Sequence, residues 1–290
     1  MNRSVQSIYP PPSYHWVGNG FRVHNFFPSN SDIGIYRMSP WFLMDYGSKF
    51  DFPPGKEPRG VDVHPHRGIE TVTIAYHGKV AHHDSAGNGG VIGEGDVQWM
   101  TAGGGILHKE YHEEEFNKKG GTFQMVQLWT NLPKKYKMTE PKYQELTFAQ
   151  GKKYQIPNDG GYVHVVAGEY EGIQGNAETF VPTSFFDAHI KSGNELLFSF
   201  PKNHNTGLLV IEGNVTINGK DEVPADHFVL MSNDGSDFTV KADGDAIVLI
   251  LSGEPIEETI VPYGPFVMNT KEEIQQAYED YRSGKFGHLD

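Results

Sequence analysis

Between residues 61 and 130 the chain alternates short apolar runs with clusters of turn-forming residues. Thr71-Val72-Thr73-Ile74-Ala75-Tyr76, Val97-Gln98-Trp99-Met100 and Phe123-Gln124-Met125-Val126-Gln127-Leu128-Trp129 have the length and the β-branched and aromatic content of strands. Asp84-Ser85-Ala86-Gly87-Asn88-Gly89-Gly90 and Gly103-Gly104-Gly105 separate them as turns. A polar, Lys-rich stretch from Leu132 to Pro157 breaks the pattern, and a second strand-rich region runs from Tyr162 to about Leu251. The pattern predicts an all-β chain, sandwich or barrel, in two halves that meet near residues 140–160. One helix is expected at the C-terminus. Thr270 and Glu273 fit a capping box, Ile274, Ala277, Tyr278 and Tyr281 recur at helical spacing, and Gly284 can end the helix.

The halves carry a faint internal repeat. Gly78-Lys79-Val80 is followed by Asp96 and then Trp99-Met100; Gly213-Asn214-Val215 is followed by Asp226 and then Leu230-Met231. Each unit reads as strand, Gly turn, strand, Asp turn, strand, which suggests a duplicated β unit.

Composition narrows the classes of function. The chain has 290 residues and no cysteine, so thiol catalysis, Cys-ligated metal centres and a disulfide scaffold are excluded. With 24 Lys+Arg against 37 Asp+Glu the formal charge is −13, which argues against a nucleic-acid surface. The apolar run Ala246 to Leu251 is far too short to cross a membrane, and MNRSVQSIYPPPSY lacks the apolar stretch of a signal peptide. A cytoplasmic protein is expected, with no membrane or direct nucleic-acid partner.

Two short segments stand out among the 14 histidines: His64-Pro65-His66 and His108-Lys109-Glu110. On a strand, residues i and i+2 face the same way, so each segment aims two metal-competent side chains in one direction. If the two strands lie side by side, three imidazoles and one carboxylate converge in a set that suits a first-row divalent ion. Counting from the repeat's landmarks, Ser199, Pro201, Phe238 and Val240 occupy the matching positions in the second half, none of them a ligand of this kind. Glu70 shares strand parity with His64 and His66, either as a further ligand or as a hydrogen-bond partner of a ligating imidazole. His82-His83-Asp84 reads as surface loop, His112-Glu113-Glu114-Glu115 as a solvated acidic loop, and Gly103-Gly104-Gly105 as a tight turn that delivers His108.

The strings HPHRGIETV, GDVQWMTAGGGILHKE, QLWTNLP and GPFVMNTKEEI, in that order from roughly residue 20 to 287, resemble the pirin family of the cupin superfamily. That resemblance implies two cupin-like (jelly-roll) β-barrel domains with a short C-terminal helix. Residues 1–145 would form an N-terminal metal-binding domain, and 146–290 a degenerate second domain plus the helix. It implies metal ligation by His64, His66, His108 and Glu110, with iron as the usual metal. Imidazole and carboxylate ligands also accept Ni, Mn, Cu or Zn. Members of the family include dioxygenases that open flavonols such as quercetin with O2 and release carbon monoxide; others are regulatory proteins that bind a transcription factor or a metabolic enzyme. Two functions are therefore expected in order. The first is a metal-dependent dioxygenase acting on a small aromatic substrate, with Glu110 also accepting the substrate hydroxyl proton. The second is a metal-containing regulatory protein with a protein partner.

Overall fold

The predicted alternation resolves into two main sheets per half, with a two-stranded hairpin besides: Glu169–Tyr170 with Ile173–Gln174 in one, Val261–Tyr263 with Phe266–Met268 in the other. In the computed structural model, which describes residues 2–290, the first unit has a seven-stranded sheet. Its order is Lys142–Leu146, Val97–Thr101, Ile69–His77, Gly121–Asn131, Trp41–Phe52, Phe21–Phe27 and His15–Val17, antiparallel throughout. A four-stranded sheet, Gly60–His66, Ile106–His112, Val80–Asp84 and Gly89–Ile92, completes the unit. Glu110 of the smaller sheet accepts hydrogen bonds from Gln127 and Thr73 of the larger one, so the inner faces of the two sheets meet. One end of this interior is apolar, filled by Phe21, Val23, Phe52, Ala75, Val80, Ile92, Phe123 and Met125.

The second unit repeats the plan. Its seven-stranded sheet orders Val5–Tyr9, Phe228–Met231, Asn205–Glu212, Ala246–Gly253, Thr183–Ile190, Gly161–Ala167 and Lys152–Gln155. Its smaller sheet orders Glu195–Ser199, Asp237–Ala242, Asn214–Ile217 and Asp221–Pro224. Phe186, Ala188 and Ile190 alternate along one strand into a wholly apolar interior with Val210, Val229, Val248 and Ile250.

The repeat is real, but its register differs by one residue in one strand. His108 pairs with His64 across the first small sheet, and Phe238 pairs with Phe198 across the second. Phe200 donates its backbone N–H to the Ser236 carbonyl, so it takes the place of His66, which lies opposite Ile106. The counterparts of His64 and His66 are therefore Phe198 and Phe200, not Ser199 and Pro201, because a count through loops of unequal length slips while strand pairing does not. Phe198, Phe200, Phe238 and Val240 are buried, and the Phe238 ring lies 5.7 Å from that of Phe198 and 6.1 Å from that of Phe200. Where the first unit converges imidazoles, the second packs an aromatic core.

Each unit is discontinuous in sequence, which a single division near residue 145 does not anticipate. One gathers the N-terminal residues to Pro12, Asp32–Pro40 and Ala149–Pro255; the other gathers Ser13–Ser31, Trp41–Phe148 and Ile256–Asp290. The edge strand Val5–Tyr9 belongs with Phe228–Met231 because it pairs there. The C-terminal segment belongs with the first unit because Ile274, Ala277 and Phe286 pack against Leu107, Phe266 and Met268.

The C-terminal helix, Lys271–Arg282, starts at the expected capping box: Glu273 donates its N–H to Thr270 Oγ1 at 3.1 Å and takes the Thr270 N–H at 3.0 Å. Its buried side is Ile274, Ala277 and Asp280. Tyr281, expected in the apolar stripe, is exposed, and a carboxylate takes the buried position instead. No helix among the described residues is long and apolar enough to cross a membrane.

Candidate metal centre

The two histidine segments do lie side by side. Strands Gly60–His66 and Ile106–His112 pair antiparallel with His108 opposite His64 and Ile106 opposite His66, and a bulge follows between His108 and Glu110. The Gly103-Gly104-Gly105 turn returns the chain into the second of these strands, as expected. Gly103 adopts φ +48°, and a Cβ there would collide with the Thr139 carbonyl.

His64, His66 and His108 each offer a ring nitrogen, and these nitrogens lie within 4.8 Å of one another. Ring centroids are 4.2 Å apart for His64 and His108, 4.8 Å for His66 and His108, and 4.9 Å for His64 and His66. His64 Nδ1 lies 2.8 Å from the Asp62 carbonyl and His66 Nδ1 lies 3.3 Å from the Pro265 carbonyl. A carbonyl only accepts, so both Nδ1 atoms carry the hydrogen and each Nε2 keeps its lone pair. His108 is buried with neither ring nitrogen hydrogen-bonded. An imidazole left that way costs free energy unless something else takes its lone pair, and a cation held by three such nitrogens would. Burial depresses all three histidines, His66 to about 3 and His108 well below its ordinary value, so they stand neutral as metal ligation requires.

Glu110 shares the cavity but stands outside that group of three. Its carboxylate turns to the opposite sheet, taking Gln127 Nε2 at 2.7 Å and Thr73 Oγ1 at 3.4 Å, and burial pushes it up to about 7. The cavity has a volume of about 430 Å³. Val17, Phe21, Val23, Met125 and Trp129 make its apolar wall, and Asp45 and Gln127 join the site as polar groups. Trp129 meets the His66 ring edge to face at 4.9 Å.

The loop that carries His66 is clamped from behind. Arg67 donates Nε to the Gly104 carbonyl at 2.7 Å, pairs with Asp280 at 2.9 Å and lies over the Phe286 ring at 4.8 Å. Val267 donates its N–H to the Arg67 carbonyl at 3.1 Å. Lys137 is buried, and its Nζ donates to the Gly68 carbonyl at 2.9 Å and to Asn131 Oδ1 and the Val267 carbonyl at 2.7 Å each. Gly68 sits at φ +79° so close to the Val267 carbonyl that a Cβ would collide with it. The C-terminal segment thus fixes both the loop and the carbonyl that orients His66.

Three sequence expectations fail here. Glu70 does not approach the histidines: Arg67 and Gly68 break the strand, so parity does not carry from His66 across the turn. Glu70 takes the Thr101 hydroxyl at 2.8 Å instead. His82 is no loop residue but lies buried in strand Val80–Asp84, with Tyr143 Oη 2.7 Å from its Nε2; only His83 is exposed. His112 is likewise buried, 4.6 Å from both the Phe52 and Phe123 rings, and Glu113 caps a short helix, Glu114–Lys119, that the pattern did not predict. Trp129 is read from the sequence as core or pocket lining and Lys137 as part of a basic stretch; Asp45 and Gln127 are not read as site residues. The available signal was polarity inside an apolar run, as in Phe42-Leu43-Met44-Asp45-Tyr46 and Met125-Val126-Gln127-Leu128.

Comparison with known proteins agrees with the two-unit β fold. The pirin family model matches residues 20–130, and the model of the pirin C-terminal cupin domain matches 185–287. A Pseudomonas aeruginosa protein provisionally named quercetin 2,3-dioxygenase is 46% identical over 284 residues, 98% of each chain. Human pirin is 39% identical over 262 residues, covering 87% of this chain and 84% of its own. The crystal structure of a quercetin 2,3-dioxygenase from Acinetobacter baumannii superposes with a TM-score of 0.93 at 43% identity over the whole of both chains. With two barrels, a histidine cluster in the first and an aromatic core in its place in the second, this chain belongs to the pirin family of the cupin superfamily.

Proposed function

We propose that the protein is a metal-dependent dioxygenase that opens flavonols such as quercetin with O2 and releases carbon monoxide. One observation carries the reading: three neutral imidazoles lie together, His108 with both nitrogens unpartnered, and two of them, His64 and His66, line a largely apolar cavity roomy enough for a flat aromatic molecule. The names borne by the Pseudomonas and Acinetobacter relatives support it. His64, His66 and His108 would hold the ion, with Glu110 as fourth ligand once its side chain turns from Gln127; iron(II) is the metal proposed. Bound there, a divalent ion supplies a Lewis acid of net charge +1, suited to an anionic oxygen of the substrate.

The rest is done by the chain. Val17, Phe21, Val23, Met125 and Trp129 bury the aromatic rings and exclude water from the reacting atoms. Glu110, which burial pushes up while no cation is beside it, is the carboxylate placed to take the proton of a flavonol hydroxyl. Gln127 and Thr73 hold that carboxylate from the opposite sheet until an ion draws it across. The decisive experiment is elemental analysis of the purified protein, followed by oxygen uptake and carbon monoxide release with quercetin after loading with Fe(II), Ni(II), Mn(II), Cu(II) or Zn(II) in turn. Metal bound at one equivalent without turnover under any loading would refute the enzymatic reading and leave a metal-bearing regulatory protein.

A further inference from the structure

Asp45 is an unexpected residue to find where it is. It lies in the strand Trp41–Phe52 within an apolar run, it is more than nine-tenths buried, and it lines the same cavity as His64, His66 and Glu110. Strand pairing sets it directly opposite Gln127, the residue that donates to Glu110, and opposite Asn25 on the other side. Asn25 Nδ2 donates to Asp45 Oδ1 at 2.7 Å. The amide's orientation is fixed in turn, because Asn25 Oδ1 accepts the Ser29 N–H at 3.0 Å. Asp45 Oδ2 has no hydrogen-bond donor among the described residues. Asp45 lines the cavity, so a ligand that displaces water from this second oxygen must bring a donor of its own or leave a carboxylate oxygen unserved.

The surroundings supply no such donor. On strand Phe21–Phe27, one guanidinium nitrogen of Arg22 and His24 Nε2 meet Ser48 Oγ at 3.5 and 3.0 Å, and strand Gly121–Asn131 carries no charged residue. Burial raises Asp45, and Asn25 and, more weakly, His15 on the neighbouring edge strand act against that rise.

We infer that Asp45 is a specificity-determining residue that accepts a hydrogen bond from a second hydroxyl group of the substrate, so that the cavity selects polyhydroxylated flavonols over those bearing the 3-hydroxyl alone. The inference rests on the flavonol reading above and adds to it which members of that class are bound. Asp45 is held by Asn25 before the substrate arrives, so little ordering entropy is lost when the hydroxyl docks. An acceptor left unpaired once a ligand lacking the hydroxyl displaces its water discriminates more sharply than an apolar wall, which barely rejects a missing hydroxyl.

The test compares quercetin with 3-hydroxyflavone in anaerobic titrations of metal-loaded protein, followed by flavonol absorbance. Wild-type protein is expected to bind quercetin roughly tenfold to a hundredfold more tightly than 3-hydroxyflavone. In Asp45→Asn that preference should fall to within about threefold, with metal content and 3-hydroxyflavone affinity retained. Asn25→Ala, which frees Asp45 without removing it, should lower the preference part of the way, and it carries the test should Asp45→Asn fold poorly. Equal affinities in the wild type, or an undiminished preference in the variants, would overturn the role of Asp45 and leave the proposed function standing. Failure of the wild type to bind either flavonol would overturn both.

Discussion

Replacing Lys137 with methionine keeps the length and the apolar stem of the side chain and removes only the ammonium group. Three hydrogens are lost, and each has a buried acceptor: the carbonyls of Gly68 and Val267, and Asn131 Oδ1. Leaving one buried acceptor unpaired costs about 1–3 kcal/mol, so three would cost about 3–9 kcal/mol. Relief from burying a charge offsets part of this, and a net loss of about 3–4 kcal/mol is expected. The loss should be local first, because the freed carbonyls belong to the His66 loop and to the strand beside Pro265. Urea unfolding of the metal-free protein, followed by tryptophan fluorescence, measures the stability without the contribution of bound metal. Hydrogen exchange at the Val267 and Gly68 amides, which donate to Arg67 and Gly103, reports the clamp directly. Lys137→Arg should not rescue, since a planar fork cannot serve three acceptors arranged around one nitrogen. A loss below about 1 kcal/mol with unchanged exchange at both amides would refute the reasoning.

Asp280 is drawn down to about 2 by Lys285 first, and also by Gln276 and Arg67. A carboxylate depressed in the folded state stabilises it above the unfolded value and loses that contribution as pH falls from about 4 to about 2. The stability gap between wild type and Asp280→Asn should therefore close across that window, which acid titration of both proteins at fixed urea measures. Glu110→Gln is expected to weaken metal binding at least tenfold and to abolish turnover, whereas His82→Phe should leave one equivalent of metal by elemental analysis. The second variant should still cost about 1–3 kcal/mol, because Tyr143 loses its partner. Gly68→Ala pushes a methyl group onto the Val267 carbonyl at a positive φ and should cost about 2 kcal/mol or more by urea unfolding, with His66 displaced and metal affinity reduced.

Several features were already legible in the chain itself. Alternation and turn chemistry are local properties, so the strands around Thr71–Tyr76 and Phe123–Trp129, the capping box at Thr270 and the i, i+2 pairs His64/His66 and His108/Glu110 could all be read without coordinates. The lack of metal-ligating residues at the repeat positions also pointed to a second barrel without this ligand set, although the exact counterparts, Phe198 and Phe200, needed the pairing register. What only the tertiary structure decided depends on contacts between residues far apart in sequence. Asp280 reaches Arg67, the Pro265 carbonyl orients His66, Lys137 bridges Gly68 and Val267, and Asn25 aims Asp45 into the cavity. Burial has the same origin. His82 and His112 look like surface polar residues in a string of letters and become interior ones only once strands from elsewhere close over them. Periodicity fixes which way a side chain points along its own strand, but the chemistry of what it meets there is set by the strand that folds against it.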